Sequence, residues 1–301
     1  MPRPGRREIL VRVICASINP VDWKVLKGEQ RWFTGRRFPR LLGADFSGIV
    51  SEIGSGVKGI RPGARVIGMV NPLKGGAFAE YACVPASSCV VLPDSVSFSA
   101  AAAMPAAGIS AMRCFRGRAK LQVGSSVLIN GCTGGVGSFA VQIARINGAK
   151  VTGVCSTRNL DLAKAVGCHE AIDYTKGDVL DRLEKTRRFH IIVDVAGSLD
   201  QNRAHRHLHK GGMLVVVNVP NNKVIPTLLR GLLPGRHIRV FLATPHRRDL
   251  AQLARWAENE TITAVIDSLT PLAELRSALT QSIAGRTRGK LVIAVADESP
   301  V

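Results

Sequence analysis

A glycine-rich loop that directly follows an apolar run is the feature of this 301-residue sequence that most restricts its fold. Residues 127–130 have the composition of a buried parallel strand. The segment Gly131-Cys132-Thr133-Gly134-Gly135-Val136-Gly137 follows and opens into a helical pattern at residues 138–146. Such glycines permit a tight turn, a close approach of backbone amides to a pyrophosphate, and close packing of helix on strand. A helix N-terminus also attracts anions. We therefore predict a dinucleotide site that includes Thr133, Gly134, Gly135 and Val136.

The spacing of these glycines is G-x-x-G-x-x-G, which departs from the G-x-G-x-x-G pattern of dinucleotide-binding loops. An ordinary strand-to-helix connection is the alternative for a glycine pattern considered alone. The strand before the loop and the helix after it favour dinucleotide binding, because this context places the loop amides at a helix N-terminus.

The end of the next predicted strand indicates which dinucleotide is bound. NAD-specific proteins place an acidic residue there, which accepts hydrogen bonds from the ribose 2′-hydroxyl. In this sequence the strand at residues 150–155 is followed by Ser156, Thr157, Arg158 and Asn159, with no acid. Hydroxyl groups and a planar guanidinium suit a 2′-phosphate, so we predict that the cofactor is NADPH and that Ser156 and Arg158 bind it. A solvated surface cation is the alternative for Arg158.

The periodicity of the sequence changes near residue 100. Before it, short runs rich in Val and Ile alternate with Gly, Pro and Asp, which predicts a small, largely antiparallel β domain. After it, strand and helix patterns alternate, which predicts a doubly wound α/β fold with a parallel sheet. A last strand at residues 290–295 would most simply rejoin the β domain. The predicted elements of the second region include a helix at residues 201–209 and strands at residues 126–130, 150–155, 190–195, 213–219 and 238–243.

Charge and hydropathy restrict the partners of the chain. A formal net charge of +19 favours polyanions or phosphorylated ligands. The basic clusters are not interleaved with aromatic residues, so we expect no dedicated nucleic-acid role. Polar residues and glycine interrupt the Ala-rich segment at residues 98–112, so no run of about 18 apolar residues forms a membrane span. The basic N-terminus lacks the apolar core of a secretory signal, which predicts a cytoplasmic protein.

The cysteines and histidines form no clear disulfide or metal-binding pattern. With no C-x-x-C pair and no framework spacing, the cysteines are expected to be small buried hydrophobic residues in a reducing compartment. Of His205, His207 and His209, only the first and last would share a helix face, and no third ligand is apparent. We therefore expect a solvated basic helix there. The seven cysteines are Cys15, Cys83, Cys89, Cys114, Cys132, Cys155 and Cys168.

Over nearly its whole length the chain resembles the medium-chain dehydrogenase/reductase superfamily, and in particular its zinc-independent NADPH:quinone oxidoreductases. The run at residues 17–24 and the segment at residues 263–267 are especially similar to the subgroup that is like the plant chloroplast-envelope quinone oxidoreductase. The other stretches that carry the resemblance lie at residues 43–48, 54–57, 75–81, 131–137, 172–174 and 289–290.

The resemblance implies two domains with an active site between them. They are a GroES-like catalytic domain at residues 1–98, completed by residues 262–301, and a Rossmann NADPH-binding domain at residues 99–261. It also implies that no metal is bound. Zinc-containing members hold the ion with a Cys, a His-Glu pair and a later Cys or Asp, whereas this sequence has Asn19, Ala44-Asp45 and Met104-Pro105-Ala106 at those positions.

The first residues of this sequence match the turn that precedes the first predicted strand of the GroES-like domain. We therefore expect the opening strands of that domain to be missing and a sheet edge to be left that could pair with another chain. A homodimer is expected by analogy with the family.

Without a metal, the implied reaction is transfer of hydride to an acceptor that is already electrophilic, namely a quinone or an α,β-unsaturated carbonyl compound. Charge that develops on the carbonyl oxygen would need hydrogen-bond donors. Asn19 and Lys24 are the candidates, with Lys24 as a proton donor if burial lowers its pKa. The alternatives are a surface cation for Lys24 and a contact with the nicotinamide for Asn19.

Further cofactor contacts follow from the resemblance and from the sheet edge. Tyr174 is similar to a family tyrosine that packs beside the adenosine phosphate, and Lys290 could add charge from the tail. Ala196 and Asn218 follow parallel strands at the edge where such sheets bind ligands, and we assign them to the nicotinamide side. The acids Asp22 and Asp45 are expected to brace loops rather than to act as acid and base.

Two alternatives to this function stay open. The first is a zinc-free alcohol or aldehyde reductase with the same fold. The second is a non-enzymatic protein that binds nucleotide or RNA, which the high charge permits.

Overall fold

The computed structural model describes residues 1–31, 35, 39–219, 224–231 and 233–297. The chain divides into two compact units. Unit 1 comprises residues 1–109 and 244–301, and unit 2 comprises residues 110–243. Helix α8 (Arg247–Glu258) therefore belongs to unit 1, although the sequence analysis assigns that segment to the Rossmann domain.

Unit 1 is built on a seven-stranded sheet of the GroES-like type. The seven strands are β1 (Glu8–Ser17), β2 (Asp45–Ile53), β3 (Arg65–Met69), β4 (Tyr81–Pro85), β5 (Cys89–Val91), β12 (Ile266–Pro271) and β13 (Lys290–Ala294). Their order is β12-β13-β1-β2-β3-β5, and β4 also pairs with β1. Strand β1 is buried along nearly its whole length and pairs antiparallel with β2, β4 and β13, so it is a central strand of the sheet.

Two apolar clusters hold unit 1 together. The larger one packs around Phe46, whose ring occupies the space that a side chain at Gly68 would need. The smaller one joins Ile18, Leu279 and Ile293, and thereby connects the first strand, a late helix and the last strand. The helices of unit 1 are α1 (Pro20–Leu26), α2 (Phe98–Ala103), α8 and α9 (Leu275–Ile283), while α3 (Pro105–Cys114) begins in unit 1 and ends in unit 2.

Unit 2 is a doubly wound parallel sheet, as the alternation of patterns predicts. Its strands are β6 (Ser126–Asn130), β7 (Lys150–Cys155), β8 (Glu170–Asp173), β9 (Phe189–Asp194), β10 (Leu208–Val216) and β11 (Ile238–Val240). Its helices are α4 (Gly135–Ile146), α5 (Leu160–Ala165), α6 (Gln201–Arg206) and α7 (Val224–Gly231).

The strands lie in the order β8-β7-β6-β9-β10-β11. Numbered along the chain, this is the 3-2-1-4-5-6 arrangement of dinucleotide-binding folds. The order reverses between β6 and β9, and ligands bind at the carboxyl ends of strands at such a point.

The predicted helix at residues 201–209 is too long. Helix α6 ends at Arg206, and β10 begins at Leu208, which is buried and pairs with Phe189 of β9. Its burial against the sheet, together with glycines at 211 and 212, favours a strand over a continued helix. His209 consequently lies in a strand, with its ring centroid 4.4 Å from that of His190.

Within the described residues, no helix combines the length and apolarity that a bilayer span requires.

Candidate functional site

The glycine loop of unit 2 has the close backbone packing that its sequence predicts. Gly131 adopts a φ of 82°, a conformation that favours glycine, and its carbonyl accepts a hydrogen bond from the Gly134 amide at 3.1 Å. A side chain at Gly137 would overlap the Gly131 carbonyl, so the helix can approach the strand end this closely only with glycine there. The loop and the first turn of α4 therefore pack without intervening side chains.

This packing leaves backbone donors at the start of α4. Gly134 is the N-cap residue of this 12-residue helix and contributes no side-chain cap. The amides of a first helical turn have no intrahelical acceptor, and Gly134, Gly135 and Val136 are partly exposed. The positive end of the helix dipole lies at the same place. These predicted residues form a cradle that can hold a diphosphate.

The tip of β7 presents the residues that we predict to select the cofactor. Ser156 is partly exposed and Arg158 is exposed, on a short 3₁₀ turn that spans residues 157–159. The Thr157 hydroxyl in this turn donates to Asp173 at the end of β8, with 2.6 Å between Oγ1 and Oδ2. The turn that carries Arg158 is therefore tied to the neighbouring strand.

Asp173 is an acid close to the predicted ribose site, but its carboxylate already has protein donors. Besides Thr157, it accepts the Thr175 amide at 2.9 Å and the Thr175 hydroxyl at 2.7 Å, both on Oδ1. The hydroxyl of Thr157, followed by the donors of Thr175, lowers the pKa of Asp173 to about 2. Asp173 thus braces the turn, and Tyr174 directly after it is 54% exposed, where a bound group could pack against its ring.

Asn159 is a buried residue at this site that the sequence analysis does not select. Its Nδ2 donates to the Thr133 hydroxyl at 3.2 Å, so it connects the glycine loop to the turn with Arg158. Its Oδ1 is buried and has no hydrogen-bond partner among the described residues. The only sequence signal is its position next to Arg158, because a polar run does not reveal which of its members turns inward.

The carboxyl end of β9 is organised by a buried acid. Asp194 accepts Asn130 Nδ2 at 2.7 Å, the Gly197 amide at 2.8 Å and the Leu199 amide at 3.0 Å. Burial raises the pKa of Asp194, although the three donors lower it. The network connects the end of β6 to the loop after β9 and fixes the shape of that loop.

Two further predicted residues lie at this sheet edge, Ala196 in the loop after β9 and Asn218 after β10. The Ala196 amide would lie 3.5 Å from a Cβ at Gly131, so Ala196 is beside the glycine loop. The Asn218 carbonyl occupies the space that a side chain at Gly197 would need, so Asn218 packs against the loop after β9. Both Ala196 and Asn218 are exposed. A cavity of about 460 Å³ opens at the same edge, with Gly197, Gln201, Val216 and Arg230 in its lining. Nine of the predicted cofactor residues therefore belong to unit 2.

Lys290, the tenth predicted cofactor residue, belongs to unit 1, where groups of the same unit surround its ammonium. Its ammonium is buried and has three acceptors, namely the Ile18 carbonyl at 2.9 Å, Asn19 Oδ1 at 2.7 Å and Asp45 Oδ2 at 3.6 Å. Its side chain is only 4% exposed. Two hydrogen bonds and one ion pair therefore hold this ammonium inside unit 1.

Asn19 lies at the centre of the same network. Its Oδ1 accepts from Lys290, and its Nδ2 donates to Asp45 Oδ2 at 2.9 Å. Its backbone amide donates to Asp22 Oδ2 at 2.7 Å in a capping box that starts α1. The amide donors that we expected to meet a carbonyl oxygen are thus engaged inside unit 1, and the arrangement makes Asn19 a structural residue of the β domain.

The two acids of unit 1 brace loops, as the sequence analysis expects. Asp22 accepts the amides of Asn19 and Gly43, and Asp45 accepts the Ala106 amide at 3.0 Å. Burial raises the pKa of Asp22 to about 7. Burial also raises the pKa of Asp45, and Lys290 opposes that shift.

Lys24 differs from Asn19, the other predicted catalytic residue, because its side chain is not enclosed. It lies in the last turn of α1, is partly exposed, and has its Nζ 5.7 Å from the centre of the Trp23 ring. Partial burial lowers the pKa of Lys24, which is the direction that general-acid chemistry near neutral pH requires.

The residues at the family's zinc positions do not fit a catalytic zinc. Asn19, Ala44 and Ala106 supply no imidazole or thiolate, and the carboxylate of Asp45 already pairs with the Lys290 ammonium. In the part of the chain that the structure describes, no group of three His, Cys, Asp or Glu side chains could hold a metal ion.

Comparison with known proteins agrees with this geometry. Residues 5–94 match the family model described as alcohol dehydrogenase GroES-like domain, and residues 166–293 match the one described as zinc-binding dehydrogenase. The chloroplastic quinone-oxidoreductase QR1 of Triphysaria versicolor is 30% identical, over 97% of this chain and 91% of the relative. The trans-enoyl reductase pgmF of Aspergillus terreus is also 30% identical, over 97% and 87%. The quinone oxidoreductase structure from Coxiella burnetii superposes with a TM-score of 0.89 at 28% identity, over 98% and 93%.

Proposed function

The chain belongs to the medium-chain dehydrogenase/reductase superfamily, and from that premise we propose that it transfers hydride from NADPH to quinones or α,β-unsaturated carbonyl compounds without a metal. The observation that carries the proposal is the pair of features at the edge of the unit 2 sheet. The first-turn amides of Gly135 and Val136, in partly exposed residues, suit a diphosphate, and the exposed side chain of Arg158 suits an additional phosphate.

Each segment of this edge has a defined task in the proposal. The first-turn amides of α4 hold the diphosphate, while Ser156 and Arg158 hold the 2′-phosphate. Asp173 and Asn159 keep the Arg158 turn in place through Thr157 and Thr133. NADPH supplies the hydride when it is bound.

The loops after β9 and β10 complete the cofactor site in this proposal. Ala196, on the loop that Asp194 shapes through the Gly197 amide, and Asn218, after β10, contact the nicotinamide end. Because this loop is fixed by a buried network, it can orient the ring before an acceptor binds.

Two observations support this choice of acceptor. The residues at the zinc positions of unit 1 do not fit a catalytic zinc. The chain is also similar to a quinone oxidoreductase and to a trans-enoyl reductase. Without a Lewis acid, saturated aldehydes are poor acceptors, whereas quinones and enones accept hydride readily. We propose that Lys24 donates a hydrogen bond or proton to the acceptor oxygen. Asn19 then acts as a positioning residue that holds the start of α1.

Fluorescence titration of the purified protein with NADPH and with NADH tests the cofactor assignment. NADPH should bind at least about tenfold more tightly, which corresponds to about 1.4 kcal/mol. Arg158→Ala should abolish most of that difference. Arg206→Ala removes an exposed arginine from the end of α6 and should preserve it. Equal affinity of the unmodified protein for both nucleotides would overturn the assignment.

A panel of acceptors tests the reaction. With NADPH we expect turnover of quinones and enones and little turnover of matched saturated aldehydes. Turnover of the saturated aldehydes alone would favour the aldehyde reductase. Salt-sensitive RNA binding by a protein that oxidises no NADPH on the panel would favour the non-enzymatic alternative.

A further inference from the structure

The cavity of about 460 Å³ in unit 2 lies beside the residues that we propose for the nicotinamide end. Gly197, which lines the cavity, follows Ala196 in the chain. Val219, which also lines it, follows Asn218. The unit 2 residues that we predict to hold the cofactor are not part of its described lining. The cavity therefore adjoins the proposed cofactor site but is formed by other residues.

The lining of this cavity combines an apolar wall with one cation. The apolar wall is formed by Leu199, Val216, Val219 and Pro226. Arg230 of α7 is the one cationic residue in the described lining, and it is partly exposed, so that a ligand can reach it from solvent. The acid in the same lining is Asp200, whose carboxylate accepts the Arg203 amide at 2.8 Å and caps α6.

The guanidinium of Arg230 has no carboxylate partner among the described residues. Its Nη1 donates to a neutral acceptor, Gln201 Oε1, at 3.2 Å. Arg203 of the same unit, by contrast, pairs with the Asp178 carboxylate at 3.0 Å. A guanidinium beside apolar surface gains stability from an anion, and its planar fork of N–H groups suits a carboxylate. The cavity thus offers an anion a cation that the protein itself leaves without a counter-ion.

Two consecutive hydrogen bonds orient this guanidinium from the protein side. The fully buried Thr227 accepts Gln201 Nε2 at 2.8 Å between nitrogen and Oγ1. Because the amide nitrogen of Gln201 is committed to Thr227, the amide oxygen is the atom that faces Arg230. The guanidinium is therefore held at the cavity wall before a ligand binds, as is typical of built binding sites.

We propose that this cavity binds the far end of the acceptor, and that Arg230 selects quinones or enones that carry a carboxylate. The assignment rests on the proposed function, because it requires an acceptor that meets the nicotinamide beside Ala196 and Asn218. The volume of about 460 Å³ lies within the range of about 300–1,000 Å³ that is usual for small-molecule sites. The apolar wall contacts the alkyl chain of the acceptor, and the guanidinium binds its carboxylate.

Matched pairs of acceptors test the selection. Vinyl ketones that end in a carboxylate, with alkyl chains of several lengths, are compared with their methyl esters, and NADPH is the reductant. At the best chain length, kcat/KM should be about tenfold higher for the carboxylate than for its ester. High salt should reduce this ratio, because it screens the partly exposed charge of Arg230. Turnover of both acceptors at equal kcat/KM for every chain length would overturn the proposal and leave the proposed function standing.

Variants identify the residue that makes the selection. Arg230→Gln should lower kcat/KM for the carboxylate to the level of the ester and leave turnover of the ester unchanged. The matched control is Arg236→Gln, because Arg236 also donates to a side-chain amide oxygen, that of Asn202 at 2.6 Å, but is not part of the described lining. This control should keep the preference. An equal fall for both acceptors in Arg230→Gln would give Arg230 a structural role and refute the selection.

Equilibrium binding tests the cavity without hydride transfer. The saturated keto acid and its methyl ester, which lack the reactive double bond, are titrated into the unmodified protein by calorimetry. The acid should bind about tenfold more tightly than the ester, and Arg230→Gln should remove the difference. Equal binding of acid and ester by the unmodified protein would overturn the anion site. Tighter binding of the acid by a protein that reduces no enone or quinone would refute the proposed function instead.

Discussion

Asp22 and Asp45, which brace loops in unit 1, and Asp173, which braces the Arg158 turn in unit 2, are held in opposite ways. In unit 1, Asp22 and Asp45 are enclosed, and burial raises the pKa of both even though amides and the Lys290 ammonium stabilise their charged forms. In unit 2, Asp173 lies at a strand tip, where the hydroxyls of Thr157 and Thr175 lower its pKa to about 2. The unit 1 network is closed, with its donors and acceptors matched inside the β domain. At the edge of unit 2, by contrast, amides in the first turn of α4 have no intrahelical acceptor.

The largest expected effect on stability comes from removing the buried ammonium of Lys290. Lys290→Met leaves Asp45 and Asp22 enclosed without their counter-ion, so the free energy of unfolding should fall by about 3–5 kcal/mol in urea titrations. Its control is Arg203→Met, which removes a partly exposed cation from Asp178 and Asp181 in unit 2 and should cost about 0–1 kcal/mol. Similar losses in the two variants would show that the unit 1 network is not closed to water.

The pH dependence of stability should carry the signature of Asp22. Its pKa is raised from 3.8 to about 7, so between these values the folded state binds more protons than the unfolded state. Stability contributed by this group therefore falls as pH rises through that window, by up to about 1.4 kcal/mol per pH unit. Asp22→Asn should flatten the slope, measured by urea titration at several pH values. Asp45 also has a raised pKa and leaves a residual slope in the variant. An identical slope in both proteins would exclude Asp22 as its source.

A smaller loss should follow from crowding the glycine loop of unit 2. In Gly137→Ala the added methyl group overlaps the Gly131 carbonyl, and the shift that follows should cost about 1–3 kcal/mol and weaken binding of the diphosphate. Gly134→Ala is the matched control for stability alone, because its Cβ would lie 3.5 Å from the same oxygen and meets no closer atom. Urea titration of both variants measures the loss of stability, and NADPH titration of Gly137→Ala measures the loss of binding. Equal stability of the two variants would contradict the close packing of helix on strand.

The sequence predicts the geometry of the glycine loop well because the requirements of this loop are local. Gly131 and Gly137 are needed for contacts within seven residues of chain, so a strand pattern, the glycines and a helix pattern suffice to predict the cradle. The fold class follows in the same way from the alternation of patterns. Helix α1 also had a local signal, the Asn19, Pro20 and Asp22 of its cap, which the sequence analysis did not use for a helix.

The roles of Asn19 and Lys290 could not be predicted from local patterns. Their hydrogen bond joins residues 271 positions apart, and it exists only because β13 pairs with β1. The thiols of Cys132 and Cys168 are likewise brought together by the packing over Gly153. In each case the partner of a polar side chain is decided by strand order, which periodicity does not specify.

The smallest effect concerns Asp173, which braces the Arg158 turn of unit 2. The Thr157 hydroxyl is the largest contributor to the lowered pKa of Asp173, so Thr157→Val should raise that pKa towards its ordinary value of 3.8. A depressed carboxyl pKa adds stability that is fully present above pH 3.8 and is lost as pH falls through about 2. The variant should therefore lose less stability than the unmodified protein between pH 4 and pH 2. At pH 7 its loss of stability should be smaller than that of Gly137→Ala.

NMR titration of the Asp173 carboxyl carbon measures the pKa directly, and Thr157→Ser, which keeps a hydroxyl, should leave this pKa low. A pKa that stays near 2 in Thr157→Val would mean that Thr175 alone holds the acid, and that the Arg158 turn is not tied to β8.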